Sequence, residues 1–339
     1  MKKISMYIAL AGMLLGAGGC SHEYAVESEA AVTFRVFTRA DVTPNAEQLT
    51  RLFLAERLPE HENQPGMDNR EDLHCGLEHR YDLEGNTYRL EGLFGQWYKF
   101  AFVCVPAVNE KQGSELFQAH DTFNTPSEHD FNKLMVDYAP VLAYQAGNLK
   151  EAQGKDLAVY RKIIDRWIDP VNPSVEDVTL TRVTGELILD MGIPADQFER
   201  LVTSIKLNMA HPVKRLYIHD NTVDDVLTES ETGAASYSFE WTLDPMKPEE
   251  QNTRQVFRIA LLPGELLPQD VNVTVGFENN RFQSFKLQND SNAPILIKKN
   301  VRTTVLFNGM YPNEFEIRYA GFDNHADIDV PGDDWNGWH

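Results

Sequence analysis

The stretch Trp97-Tyr98-Lys99-Phe100-Ala101-Phe102-Val103-Cys104-Val105 constrains the fold more than any other part of the chain. It is aromatic and β-branched nearly throughout, as in a central strand packed on both faces. Pro106 ends it, because proline cannot donate to a ladder of hydrogen bonds. Such a strand needs neighbours, and the sequence supplies them. In Val32-Thr33-Phe34-Arg35-Val36-Phe37-Thr38-Arg39, Val32, Phe34 and Val36 share one face. Leu49 to Leu58 reads as a second strand, and residues 59–73, rich in Pro, Glu, Asn and Gly, as an exposed loop.

Beyond Asp169 a fresh run of strands begins. Val183, Leu187 and Leu189 alternate, as do Leu201, Thr203, Ile205, Leu207 and Met209. Further strands are expected at 214–219, 236–242, 255–262, 270–277, 282–287, 294–297, 301–307 and 314–319. Short strands separated by polar turns argue for a mainly β chain of antiparallel β-sandwich domains. Helical signals are few. Ser127 and Asp130 resemble a capping box, with Phe131, Leu134, Met135 and Tyr138 at helical spacing. Asp156 is placed to cap a second helix carrying Tyr160, Ile163, Ile164 and Trp167, with Pro170 past its end. Both read as short helical insertions. Pro170 and Pro173 place a boundary at Asp169–Ser174, which divides the chain into an N-terminal sandwich over 31–172 and a C-terminal one over 173–339.

The N-terminus reads as a lipoprotein export leader. Lys2 and Lys3 precede an apolar run from Ile4 to Leu15, and Ala17-Gly18-Gly19 lead into Cys20. The run is too short to span a bilayer as a helix. Residues 1–19 are expected to be removed and Cys20 to carry the lipid, with residues 20–30 as a short polar tether. Without the two leader lysines the formal net charge of −20 becomes −22. That excess argues against nucleic acid and against electrostatic adhesion to anionic lipid, so attachment rests on acyl chains.

Two other cysteines, Cys75 and Cys104, enter an oxidising compartment, where they either pair or leave Cys104 as a buried free thiol. No nucleophile elbow, P-loop or dinucleotide fingerprint is present, and no enzymatic activity or cofactor is expected. His74-Cys75-Gly76-Leu77-Glu78-His79 matches no zinc spacing, and the acidic tail with Asp323, Asp327, Asp329, Asp333 and Asp334 matches no calcium loop, so no metal site is expected. Trp97, Trp167 and Trp241 fit core positions. Trp335 and Trp338 punctuate the tail, which argues that it docks on something.

Several of these stretches together resemble one family. The leader followed by Val32–Thr38, the run Leu90-Glu91-Gly92-Leu93 through Phe102, the opening Leu180-Thr181-Arg182-Val183-Thr184-Gly185-Glu186-Leu187, and the closing Ile328-Asp329-Val330 with Asp334-Trp335 resemble the fimbrillin-associated anchor proteins of type V fimbriae in Bacteroidota. The resemblance implies two transthyretin-like sandwiches in series. It implies an outer-membrane lipoprotein at the cell surface that attaches a fimbria used in cell adhesion. Its partners would be stalk or accessory subunits joined by β-strand addition, with the terminal strand and tail, 313–339, as a pairing segment. Stalk subunits of such fibres lose their first strand to an arginine-specific protease. Arg39-Ala40 sits where such a cut would fall, and an anchor would keep that bond. A surface glycan-binding lipoprotein is the alternative, and it requires exposed aromatic rings.

Overall fold

The computed structural model describes residues 30–38, 48–56, 80–82, 87–93, 95, 97–107, 135–169, 171–218, 236–288, 292–308 and 311–322. The described chain is mainly β and forms two sandwiches. In the first, one sheet has the order β4 (Thr87–Leu93), β1 (Ala30–Phe37), β8 (Ser174–Thr179). The facing sheet runs β3 (Arg80–Asp82), β2 (Gln48–Glu56), β5 (Trp97–Pro106), β7 (Tyr160–Trp167), β9 (Thr181–Arg182). In the second sandwich one sheet is β14 (Val256–Leu261), β10 (Gly185–Asp190), β19 (Val301–Phe307), β20 (Phe315–Gly321). Its partner sheet is β13 (Ser236–Thr242), β11 (Val202–Ala210), β16 (Val271–Phe277), β17 (Arg281–Lys286). Two short pairs complete the list: β6 (Met135–Asp137) with β12 (Arg215–Tyr217), and β15 (Gly264–Leu266) with β18 (Ile295–Ile297).

The two sandwiches repeat one arrangement that local pattern does not reveal. The opening strand of each lies inside its sheet, antiparallel to one neighbour and parallel to the other. For β1 these neighbours are β4 and β8; for β10 they are β14 and β19. Parallel neighbours need long crossovers, so nothing near β1 in sequence announces β8.

Period-two alternation sorts β5 between two cores. Tyr98, Phe100, Phe102 and Cys104 face β1 across the first sandwich. Ala101, Val103 and Val105 point the other way, into a core that continues through Val136, Tyr138 and Leu142 to the second sandwich. The expected burial on both faces is present, and the second face joins a core shared by Val136 of β6, Leu216 of β12 and a helical layer. That layer holds α1 (Ala139–Gly147) and α2 (Leu149–Ala152), and it packs on β13 and β14 of the second sandwich. β6 and β12 pair the two halves directly, and Arg161 Nη1 donates to the carbonyls of Tyr217 and Ile218 at 3.0 and 2.9 Å.

Three expectations need correction. Tyr160–Trp167 is strand β7, not a helix capped by Asp156: each residue lies opposite one of β5, from Cys104↔Tyr160 to Trp97↔Trp167. Its 160/163/164/167 spacing fits both periods, and the partner strand decides. Of the helix read after Ser127, Met135–Asp137 is strand β6 and Tyr138 precedes α1; residues 127–134 lie outside the described residues. Finally, the strands just past Pro173, β8 and β9, belong to the first sandwich, where Val178 and Leu180 are core residues. Between β7 and β8, Asp169 accepts from the Val171 amide at 2.8 Å and from Asn172 Nδ2 at 2.7 Å.

Candidate functional site

Two features of the described residues bear on strand pairing: β1, seated between two neighbours, and the edges of the second sandwich. Val32, Phe34 and Val36 alternate inward on β1 and are fully buried. The Phe34 ring centroid is 4.9 Å from Phe100 and 5.0 Å from Phe102, in tilted and edge-on contacts. On the outer face Arg35 lies opposite Asp177 of β8, and Nη2 donates to Oδ2 at 2.8 Å. The strand ends at Thr38, itself buried, and the Phe37 carbonyl accepts the Leu180 amide at 2.7 Å. Burying three such side chains contributes about 1.5–3 kcal/mol each. Without β1 a groove floored by Phe100 and Phe102 of the facing sheet would stand open between β4 and β8. Any strand with the same alternation could refill it.

Cys20, the tether through residue 29, Arg39 and Ala40 lie outside the described residues. So do Cys75, the His74–His79 cluster, and the tail from Asp323 with Trp335 and Trp338. Cys104 is a free thiol buried in the first core. Burial pushes it up to about 12, against a lowering hydrogen bond with Thr50. Among the described residues no group of three or more His, Cys, Asp or Glu is placed to hold a metal, and no helix is long and apolar enough to cross a membrane.

The edges of the second sandwich are treated differently. β14 is closed by two side chains. Gln145 of α1 donates from Nε2 to the Ala260 carbonyl at 3.0 Å and accepts the Ala260 amide on Oε1 at 2.8 Å. Gln153 does the same to Arg258, at 2.9 and 2.7 Å. A carboxamide has both a donor and an acceptor, so two glutamines reproduce what a paired strand would offer. On the opposite side, β20 pairs with β19 from Phe307↔Phe315 to Val301↔Gly321, and no strand covers its outer edge among the described residues. Phe322 then closes the described chain. Its amide donates to Asn300, and its ring lies beneath two guanidinium groups, with Arg182 Cζ at 3.6 Å and Arg302 Cζ at 4.4 Å. Desolvation lowers the Arg182 pKa, while Tyr160, Glu186 and Asp156 oppose the shift.

The tryptophans divide. Trp241 is half-buried and meets Phe257 in a tilted ring contact at 4.3 Å. Trp97 and Trp167 are not core residues: they are 40% and 47% exposed and meet edge to face at 6.1 Å across the β5–β7 pair. The aromatic run extends one residue past the end of the core. The two glutamines were not singled out by sequence. The signal for Gln145 was a polar residue on the apolar face of Ala139–Gly147, and Gln153 had none.

No protein-family model and no curated protein matches the chain. Among solved structures, the chain is similar to the tip fimbrial protein Mfa3 from Porphyromonas gingivalis with a C-terminal truncation. The identity is 11% and the TM-score 0.48, over 86% of this chain and 98% of that one. It is also similar to a fimbrial assembly protein from Parabacteroides distasonis, at 12% identity and TM-score 0.45, over 86% of this chain and 96% of that one.

Proposed function

We propose that this chain is a lipid-anchored fimbrial subunit of the cell surface, an anchor or accessory component that joins its neighbours by β-strand addition and serves cell adhesion. The observation that carries the reading is β1: the first strand of the described residues, with Val32, Phe34 and Val36 fully buried, seated between two neighbours. The leader supports it, because Cys20 would tie this strand to the outer membrane. The uncovered edge of β20 supports it too, since such an edge is a ready template for another chain. The role is structural rather than catalytic. With Arg39-Ala40 intact, β1 keeps the fold attached to its lipid, and the chain is an anchor. With that bond cut, the chain is released as a stalk or tip subunit.

The test is carried out in a fimbriated host expressing the full chain. Removal of 313–339 would also remove β20, which pairs with β19 along its length, so the informative truncation begins at Asp323. The expected result is that the truncated chain stays membrane-bound and folded but no longer co-purifies with sheared fibres. Normal co-purification would sink strand addition through the tail. A Cys20→Ala chain that still partitions with membranes would sink the lipid anchor.

The exposed pair Trp97 and Trp167 favours a second reading, a glycan-binding surface lipoprotein. Polysaccharide binding lost on Trp167→Ala would support it over the first.

A further inference from the structure

We infer that the second sandwich carries a binding site for a carboxylate-bearing sugar, such as a uronic or sialic acid unit, where the β16–β17 turn meets the segment leading into β20. A cavity of about 400 Å³ opens there between Arg200, Arg281, Phe282, Gln283, Tyr311 and Asn313. Its size lies within the usual range of ligand pockets, about 300–1,000 Å³.

Charge is the first argument. The chain carries a net −20, yet this cavity is lined by two guanidinium groups and one carboxylate, Glu199. Among the described residues neither Arg200 nor Arg281 has an ion-pair or hydrogen-bond partner. Guanidinium forks match a carboxylate in two-point geometry.

The rings are the second. Phe282 is 69% exposed and Tyr311 45% exposed, and both line the cavity. Large apolar side chains left in water on a soluble surface mark contact sites. A flat ring suits the C–H face of a pyranose. The third is the carboxamide pair. Gln283 Nε2 donates to Asn313 Oδ1 at 3.0 Å, which fixes both groups and leaves Gln283 Oε1 and Asn313 Nδ2 for hydroxyls. The turn that sets Arg281 and Phe282 is held by Asn279 and Asn280, both at positive φ, 65° and 56°. A mainly polar lining with two exposed rings favours a sugar over an acidic peptide, whose side chains would seek a deeper apolar hole.

The site lies on the second sandwich, away from β1, and its sugar-binding readout does not depend on fibre assembly, so the two readings fail independently. The test is calorimetric titration of the detergent-solubilised full chain with trigalacturonic acid, 3′-sialyllactose, neutral galactotriose and tetraglutamate. At least one acidic sugar is expected to bind ten-fold or more tightly than galactotriose, with an affinity that falls as salt rises. The double variant Arg200→Gln with Arg281→Gln is expected to lose that ten-fold advantage, and Phe282→Ala to weaken both acidic and neutral sugars. All three side chains are exposed, so the variants should melt as the parent does, and Val175→Ala on β8 of the first sandwich serves as a substitution away from the site. The inference is overturned if neither acidic sugar binds at millimolar concentration, if galactotriose binds equally well, or if the double variant binds unchanged. Equal or tighter binding of tetraglutamate would replace the sugar with an acidic peptide.

Discussion

Replacing Gln145 by Met should cost about 2–4 kcal/mol of stability, and the same change at Gln153 less than about 1 kcal/mol. Both glutamines make the same two-point contact with the backbone of β14. They differ in their surroundings. Gln145 is 1% exposed and its partner Ala260 is buried, so loss of the amide leaves an N–H and a C=O without water to take them. Each such orphan costs about 1–3 kcal/mol. Burying a methionine thioether in place of an amide recovers part of this, which gives the lower net figure. Arg258, the partner of Gln153, is exposed, so water can satisfy its backbone when the side chain is gone. Methionine keeps length and helix propensity, so α1 itself should not be perturbed. Urea unfolding gives the free energies, and hydrogen exchange over 256–261 gives the local effect. The amide of Ala260 should lose protection in Gln145→Met and keep it in Gln153→Met. The reasoning fails if the two variants cost the same, or if Gln145→Met falls within 0.5 kcal/mol of the parent. Concentration-dependent dimerisation of the doubly substituted chain would further show that the glutamines keep a strand edge out of circulation.

Three other outcomes are expected. Phe34→Ala should cost about 3–5 kcal/mol, whereas Asp177→Asn, which breaks a half-exposed ion pair, should cost under about 1 kcal/mol; a reversed order in urea unfolding would remove β1 from its place in the core. Cys104 should resist Ellman's reagent at pH 8 until the chain is unfolded, because its thiol is pushed up to about 12. A thiol whose folded pKa is raised stabilises the fold fully below its unfolded value near 9, and this contribution is lost as pH climbs towards 12, so Cys104→Ala should flatten the alkaline decline in stability between those limits. Gly192→Ala should cost more than about 2 kcal/mol in the same assay, since Gly192 sits at φ 71° and a Cβ there would clash with the Phe307 carbonyl oxygen.

Strands of the second sandwich were the most legible part of the chain. Ile205, Leu207 and Met209 alternate on β11, as do Val271, Val273 and Val275 on β16, and one-sided burial enforces that period. Tyr160–Trp167 misled because its apolar spacing fits a helix as well as a strand, and only the remote Phe100–Val103 segment settles it. Ala139–Gly147 was hidden by Pro140 and Gly147, which read as breakers but stand at its first turn and its last residue. The parallel contact between β1 and β8 joins Arg35 to Asp177 across 142 positions, a relation that no local pattern encodes. Of the candidate sites, β1 was readable from Val32, Phe34 and Val36 alone. The cavity at Arg200 and Arg281 was not, because its lining comes from three separate segments.

The position of β1 also fixes how the protein would carry a load. A pull on the N-terminal side of Ala30 acts along the strand axis, while the sandwich resists through β4 and β8 on either side. Under that geometry the hydrogen bonds of both ladders are strained together in shear, rather than opened one after another as at a frayed edge. Val32, Phe34 and Val36 would have to slide past the rings of Phe100 and Phe102 before anything released. Forced unfolding is governed by the unfolding rate rather than by equilibrium stability, so β1 is placed where it resists tension best.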